Sequence, residues 1–383
     1  MEIVHYMARI RLEEGGVVRA VLDMCSALAA RGHSVTLLTF DSTDVPDDWA
    51  DGNPQVITLA APTGVLPGLG SANSAVVRDV FARADVVHLH VPWDLACRPL
   101  ARLALAAGVP YFISIHGMLD DWCMAQKRLK KRVYLAMGGR RLLERARAVH
   151  CTAQAEADQS SRWFPRGRTA VVPLIFDLAE YQQLPGPQIA RRRFAAQMGD
   201  DGEPVVLFVS RLHPKKRLDV LIEAAARLRD RGLACRFLIA GTGEPDYEQQ
   251  LRGLVEQRDL GDRVHFVGFV SGSEKLSLYE AADVFVLPTF QENWGFVLVE
   301  SLACGTPVIT TRAVDIWPEL QSSGGAVIVD ATPDATAAAI AELLGDRERL
   351  DAMGPKGRAW VLDNLNIDRV LDSYEQLYRQ APS

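Results

Sequence analysis

Two carboxylates, Glu292 and Glu300, stand with seven residues between them in Phe290-Gln-Glu-Asn-Trp-Gly-Phe-Val-Leu-Val-Glu-Ser-Leu-Ala-Cys-Gly305-Thr-Pro-Val308. The run before them, Asp283-Val-Phe-Val-Leu-Pro288, reads as a short buried strand ending at a proline. Gly295 then opens an apolar helix through Phe296, Val297, Val299, Leu302 and Ala303 that stops near Gly305 and Pro307. Glu292 therefore falls in a loop at the C-terminal end of a strand, and Glu300 falls about two helical turns later. Ligands of open parallel sheets bind at that edge, and a helix N-terminus favours phosphate. Carboxylates at both ends with helix amides between them suit a ligand with hydroxyls at each end and phosphate in the middle. A nucleotide sugar has that form.

Other residues extend the pattern. Ser210-Arg-Leu-His-Pro-Lys-Lys-Arg217 follows a buried run and precedes a helix over Leu218–Arg229. Arg211 and Lys216 could meet one point at the strand's end, holding a diphosphate by paired guanidinium donors and an ammonium point charge; a solvated cationic loop is the plain alternative. Ala240-Gly-Thr-Gly243 and Val267-Gly268-Phe269-Val270 are turns after two further strands. Backbone amides of the second could pair with a base edge, although such turns punctuate every α/β protein. Glu13-Glu-Gly-Gly16 lies between the first strand and the first helix, where Gly16 lets ligand atoms approach the backbone. It is not the G-x-G-x-x-G dinucleotide fingerprint, which counts against a dehydrogenase. His116 ends another strand beside Gly117 and would project toward an interdomain cleft, with a purely structural histidine equally open. A basic stretch, Gln126–Met137 continuing through Arg147, interleaves Lys and Arg with Leu129, Val133, Leu135 and Leu142. It fits either a helix resting on an anionic membrane or an ordinary solvated face. No D-x-D triplet occurs, so no carboxylate set typical of a diphosphate-bound divalent metal is visible, and no metal is expected.

These residues need a scaffold that lines up strand ends. The chain has 383 residues, 48% hydrophobic and 23% charged, which suggests two domains of a globular protein. A formal charge of −6 argues against nucleic-acid binding. Six scattered cysteines form neither a metal motif nor a disulfide pattern. With no signal-like start and no apolar run of membrane-spanning length, a cytoplasmic location is expected, with peripheral membrane contact left open. Short Val/Ile/Leu runs alternate with helical patterns: Glu2–Tyr6, Ser34–Phe40, Gln55–Leu59, Asp85–His90, Tyr111–His116, Ala148–Cys151 and Thr169–Val172, then Val205–Ser210, Arg236–Ala240, Val264–Val267, Val284–Leu287, Val308–Thr311 and Ala326–Val329. Such runs mean parallel sheets covered on both faces. The expected organisation is two doubly wound Rossmann-like α/β domains, residues 1–175 and 204–365, facing across a cleft. A connector over 176–203 and a C-terminal helix within 366–383, covering Ile367–Gln380, complete it.

Taken in order, the Gly15-Gly16 loop, His116-Gly117, Arg211…Lys216, Gly241-Thr-Gly243 and Glu292-x7-Glu300 before Gly305-Thr-Pro307 resemble the retaining family-4 glycosyltransferases of the GT-B fold. The resemblance implies a UDP- or GDP-sugar donor on the C-terminal domain and a saccharide or lipid-linked acceptor on the N-terminal one, in surface polysaccharide or glycoconjugate assembly. It implies that Glu300 binds the ribose, Arg211 and Lys216 the diphosphate, and Glu292 with Asn293, Trp294, Gly295 and Phe296 the donor sugar. His116 would reach the transferred sugar, Gly16 the β-phosphate or acceptor, and Gly268, Phe269 and Val270 the base; Gly243 belongs to the donor side. The last helix would cross back to the N-terminal domain. Two departures stand out: Pro173-Leu-Ile-Phe-Asp177 replaces a common Pro-Asn-Gly turn, and Lys216-Arg217 replaces Lys-Gly, adding a cation that could sit near the phosphates. The leaving diphosphate would take the acceptor's proton, so neither an enzymic nucleophile nor a cofactor is needed. A sugar-nucleotide 2-epimerase on a similar scaffold is the nearest rival.

Overall fold

The computed structural model describes residues 1–50, 52–61, 69–199 and 202–379, and the described chain divides into two compact units. The first comprises Met1–Asp177 together with the chain from Ile367 onward; the second is Leu178–Asn366.

The first unit is built on a seven-stranded parallel sheet: β1 (Glu2–Tyr6), β2 (Ser34–Thr39), β3 (Gln55–Thr58), β4 (Val86–His90), β5 (Tyr111–Ser114), β6 (Ala148–Cys151) and β7 (Thr169–Val171). Their order is β3-β2-β1-β4-β5-β6-β7. Side chains alternate across the sheet with the period of two that a strand imposes. Val4, Tyr6, Val87, Leu89 and Ile113 pack with Leu100 and Leu142 on one face. Ile3, Val86 and Phe112 pack on the other with Met24 and Leu28 of the helix Gly16–Ala30. The final helix, Ile367–Arg379, joins that second layer through Val370, Leu371, Tyr374 and Tyr378, all on one helical stripe. Its rim is pinned by Arg31 to Asp368 and Asp372 and by His33 to Glu375 at 3.1 Å. Gln380, expected as part of this helix, lies outside the described residues.

The second unit carries a six-stranded parallel sheet: β8 (Val205–Val209), β9 (Arg236–Ala240), β10 (Val264–Gly268), β11 (Val284–Leu287), β12 (Val308–Thr311) and β13 (Ala326–Val329), ordered β10-β9-β8-β11-β12-β13. Both sheets reverse direction of growth beside their first strand, the arrangement that leaves strand ends open for ligands. The 176–203 segment, expected as a connector, instead folds largely within the second unit. Its helices Ala179–Gln182, Gln188–Arg193 and Ala195–Met198 are tied down by Ala190 N donating to Ser277 Oγ at 3.0 Å and by buried Tyr181 and Phe194. Asp200 and Asp201 of that segment lie outside the described residues. Among the described residues no helix is long and apolar enough to cross a membrane.

Candidate active site

In the second unit the strand ends supply the charged groups. After β8, the chain is steered by Leu212 N donating to Thr242 O at 2.8 Å, which lays it against the turn after β9. That contact is why glycine is needed there: a Cβ on Gly243 would lie 2.1 Å from Leu212 O, and one on Gly241 1.9 Å from Ser210 O. Gly243 thus serves the packing of two loops on one another, with its Cβ direction turned to protein. Pro214–Lys216 form a single 3-10 turn, capped by the His213 ring accepting from Lys215 N at 3.1 Å. The Lys215 carbonyl accepts from Thr289 Oγ1 at 3.0 Å and Phe290 N at 3.2 Å, joining this turn to the loop after β11.

The joined loops place Lys216 Nζ directly on Glu292 Oε2. Glu292 is held by its backbone, its N donating to Ala313 O and its O accepting from Asp315 N, both at 2.9 Å. Asn293 Nδ2 donates to Asp315 Oδ2 at 3.0 Å. Gly295 takes the left-handed conformation (φ 70°) that turns the loop into the helix Phe296–Ala303. Trp294 is buried with no partner on Nε1 among the described residues, and Phe296 is the first helical residue. Glu300, one helical face along, accepts from Lys275 Nζ at 3.0 Å on one oxygen and from Tyr279 OH at 3.1 Å on the other. A carboxylate has about four lone-pair sites, and these two donors occupy two of them. Arg211 is exposed beyond β8 and forms no ion pair among the described residues.

Arg217, expected as a possible extra cation at the phosphates, is engaged elsewhere. Its Nε donates to both Asp219 oxygens at 3.0 Å and its guanidinium lies 5.1 Å over the Phe290 ring. Its backbone takes the left-handed φ of 55°, a conformation that favours glycine. At the end of β10, Gly268 has φ 78° and its carbonyl is taken by Gly241 N at 2.7 Å; Phe269 projects into solvent, 71% exposed, while Val270 is buried.

In the first unit, Gly16 opens the helix Gly16–Ala30 after Gly15 (φ 107°), so its amide lies in the turn that helical geometry leaves without an intrahelical partner. His116 follows β5 with φ 48°, succeeded by Gly117 at φ 72°. Two left-handed residues in a row need an external brace. Buried Glu156 provides it, accepting from Gly117 N and, through its other oxygen, from Thr152 N at 2.6 Å and Thr152 Oγ1 at 2.9 Å. The His116 Nε2 meets His90 Nδ1 at 3.1 Å; burial pushes His116 down to about 3, keeping it neutral at ordinary pH.

Residues 15–174 match the family described as glycosyl transferase 4-like domain, and residues 191–360 match glycosyl transferases group 1. A D-inositol 3-phosphate glycosyltransferase of Nocardia farcinica is 34% identical over 364 residues, covering 89% of this chain and 80% of the relative. The chain belongs to the group 1 glycosyltransferases. A GDP-mannose-dependent alpha-(1-6)-phosphatidylinositol monomannoside mannosyltransferase of Mycobacterium tuberculosis is 28% identical, covering 87% of this chain and 86% of the relative. The fold is that of GT-B glycosyltransferase structures. Sucrose-phosphate synthase from Thermosynechococcus elongatus superposes with a TM-score of 0.75 at 24% identity, covering 99% of this chain and 98% of that one. Anabaena HepE, solved with UDP and glucose, superposes with a TM-score of 0.77 at 20% identity, covering 98% and 99%.

Within this glycosyltransferase, Lys275 and Tyr279 escaped the sequence reading, as did Asp315 and Glu156. Lys275 and Tyr279 are four apart on the helix Gly272–Ala281 and so share a face; that spacing, directly after a strand, was the available signal. The described residues also bring together His5, His88 and His90 with ring nitrogens within 4.8 Å of one another. Their rings are stacked, with interplanar angles of 10–24°. In-plane lone pairs of parallel rings do not converge on one ion, and both nitrogens of His88 are spent on Tyr378 OH at 2.6 Å and Ser114 Oγ at 2.7 Å. The trio is a stack of rings in which His5 Nδ1 and His90 Nε2, 3.1 Å apart, are hydrogen-bonded to one another.

Proposed function

We propose that this group 1 glycosyltransferase moves a sugar from a UDP- or GDP-sugar, with retention at the anomeric carbon and without a metal, to a hydroxyl of a phosphate-bearing or lipid-linked acceptor. The observation that carries the donor assignment is the pair of braced carboxylates around the start of helix Phe296–Ala303: Glu292 on Lys216, and Glu300 on Lys275 and Tyr279. Glu300 takes the ribose hydroxyls. Arg211, Lys216 and the helix N-terminus take the diphosphate, whose departure they stabilise as charge develops. Glu292 and the backbone of Asn293–Phe296 hold the donor sugar, and exposed Phe269 offers an aromatic face to the base. The first unit contributes His116 to the transferred sugar and Gly16 to phosphate or acceptor. The bond from the anomeric carbon to the phosphate oxygen breaks first. The acceptor oxygen then bonds to that carbon on the same face, and its proton passes to the departing phosphate oxygen.

Support for an anionic acceptor comes from the first unit. A cavity of about 1090 Å³ is lined by Arg98, Arg102, Arg132, Arg140, Arg141 and Arg145, with Glu144 as the lining's acid. None of these six arginines forms an ion pair among the described residues. Leu129, Val133 and Met137 nearby are exposed, whereas Leu135 and Leu142 are buried, so only part of the expected amphipathic stripe is free. Arginine with exposed apolar side chains suits a phosphorylated acceptor at the surface of an anionic membrane. The names of the two relatives above, acting on inositol 3-phosphate and phosphatidylinositol monomannoside, agree with that chemistry.

The test is incubation of the purified protein with UDP- and GDP-sugars in excess chelator, with and without a phosphorylated polyol or lipid-linked acceptor. Glycosylated product bearing the donor's anomeric configuration is expected only when acceptor is present. Epimerised donor in its absence would favour the isomerase instead, and strict Mg²⁺ dependence would remove the metal-free mechanism.

A further inference from the structure

One backbone turn in the first unit is strained. Val91, directly after β4, has a φ of 65°. A β-branched side chain in the left-handed region is a genuine outlier, and such a residue persists only where its surroundings over-determine it. Here they do. The Val91 carbonyl accepts from Asp94 N at 3.1 Å and the Pro92 carbonyl from Tyr134 OH at 2.8 Å. Trp93 Nε1 donates to the Met118 carbonyl at 3.2 Å, which fastens the loop after β4 to the loop after β5.

The turn brings Asp94 to one place. Its Oδ2 accepts from the hydroxyl of Tyr6, the last residue of β1, at 2.8 Å, and its Oδ1 accepts from Ala96 N at 2.8 Å. β1 pairs with β2 on one side and with β4 on the other. The bond between Tyr6 and Asp94 therefore spans the point where the first sheet reverses its direction of growth, and ligands of such sheets bind in the crevice outside the strand ends there. Burial and the Asp94 carboxylate together push the Tyr6 phenol far above its ordinary range, so Tyr6 stays a donor.

Asp94 itself is half-buried, and no lysine, arginine or histidine pairs with it among the described residues. An ionised carboxylate only accepts, through about four lone-pair sites; Tyr6 and Ala96 occupy two. Capping the helix Cys97–Ala106 accounts for the Ala96 contact. It accounts neither for a second oxygen held by a phenol from another strand nor for the strain at Val91. A carboxylate without a cation repels phosphate and favours hydroxyl donors.

We infer that Asp94 is a specificity-determining residue of the acceptor site, its carboxylate accepting hydrogen bonds from the ring hydroxyls of a polyol, either a saccharide or a cyclitol. This rests on the reading of the first unit as the one that binds the acceptor. Tyr6 is then a positioning residue that aims the carboxylate, and the Val91 turn holds it at the sheet edge.

The test uses the full-length protein with two uncharged ring polyols, myo-inositol and methyl α-D-mannopyranoside, and follows their binding by ligand-observed NMR titration. At least one should bind the unaltered protein; binding of neither overturns the inference. Asp94→Asn keeps the side chain's size and its cap, since asparagine caps as well as aspartate. It should weaken the bound polyol about tenfold, the scale of one hydrogen bond to a charged group, while Tm and the affinities for UDP and GDP stay where they were. Tyr6→Phe should weaken it about threefold by releasing the carboxylate. Polyol binding unchanged in Asp94→Asn overturns the inference, whether or not Tm falls. Should that variant not fold, Asp94→Ser, another capping side chain, takes its place. None of these measurements needs turnover, so a failure of the proposed transfer reaction shows separately, as no product from the unaltered protein while polyol binding remains.

Discussion

Replacing Lys216 with alanine should separate the two things this side chain does. The Lys216 and Glu292 side chains are 13% and 18% exposed. An exposed pair is worth about 0.2–1 kcal/mol, and stripping one partner from a fully buried pair costs about 3–5 kcal/mol. Mostly buried but reachable by water, this pair belongs between those limits. Lys216→Ala should therefore destabilise by about 2 kcal/mol, most of it the cost of leaving the Glu292 carboxylate without its ammonium. For a domain of this size that lowers Tm by roughly 4–8 °C. Turnover should fall by about 10²-fold or more, the scale for removing one preorganised donor from a developing anion. Adding Glu292→Gln to Lys216→Ala removes the stranded charge. The double variant should regain at least ~1 kcal/mol of stability in urea unfolding while its turnover stays as low as the single variant's or lower. If the single variant keeps wild-type turnover, Lys216 is not at the leaving phosphate. If the double variant is no more stable than the single one, the ion pair is not what Lys216 contributes to the fold.

Three further outcomes are expected. Lys275→Met leaves Glu300 aimed only by Tyr279, and should raise KM for the donor about 3- to 10-fold with little change in kcat, as loss of uniform binding does; a kcat effect without a KM effect would place Glu300 away from the ribose. Acid should unfold the protein early. Burial depresses His5 and His116 to about 3 and His150 to about 4, and holds His88 and His90 well below 6.5. The unfolded chain therefore binds more protons below pH 6.5, and stability is complete above that and lost as pH falls toward 4, by about 1.4 kcal/mol per pH unit per histidine. Equal urea midpoints at pH 7 and about 5.5 would contradict this burial. Charge reversal at Arg102 and Arg141 should weaken co-sedimentation with anionic vesicles by roughly 1 kcal/mol or more per site, leaving weak binding to neutral vesicles unchanged; binding insensitive to salt and to both reversals would discard the membrane contact.

Much of this molecule is legible in its sequence because buried parallel strands write themselves as short apolar runs. β1, β6, β9, β11, β12 and β13 begin and end where those runs do, and all the others but β5 differ by one residue at an end. The charged residues of the candidate site are legible as candidates for a related reason, since Arg211, Lys216, Glu292 and Glu300 all follow strand ends in the same sheet. What the sequence hid is what depends on a third element arriving. Lys275 was visible only as one polar residue in a helix, and its meaning comes from Glu300 lying across the neighbouring strand's helix. Glu156 looked like any helical glutamate, yet it is fully buried under the His116 turn. The histidine array did leave a trace: His88 and His90 share a face within an otherwise apolar strand. An imidazole every second residue in a buried strand demands partners, and that demand could have prompted a search for His5, Ser114 and His150.

On the proposed donor mode, the two ion pairs of the candidate site, Lys216 with Glu292 and Lys275 with Glu300, also constrain how the donor is held. Each is locally neutral, so neither pair by itself draws in a doubly charged phosphate. The free positive field comes from exposed Arg211 and from the amides opening helix Phe296–Ala303. A diphosphate must then share the Lys216 ammonium with Glu292 instead of displacing it, since a bare carboxylate beside the phosphates would be repulsive. An ammonium has three donors that can be split between the two anions. In the proposed reaction the lysine's contribution would therefore grow when the sugar leaves and negative charge accumulates on the phosphate oxygen, because its shared proton donors can shift toward the stronger anion. Such a lysine contributes little to ground-state affinity and much to the transition state, which is the division of labour that raises kcat.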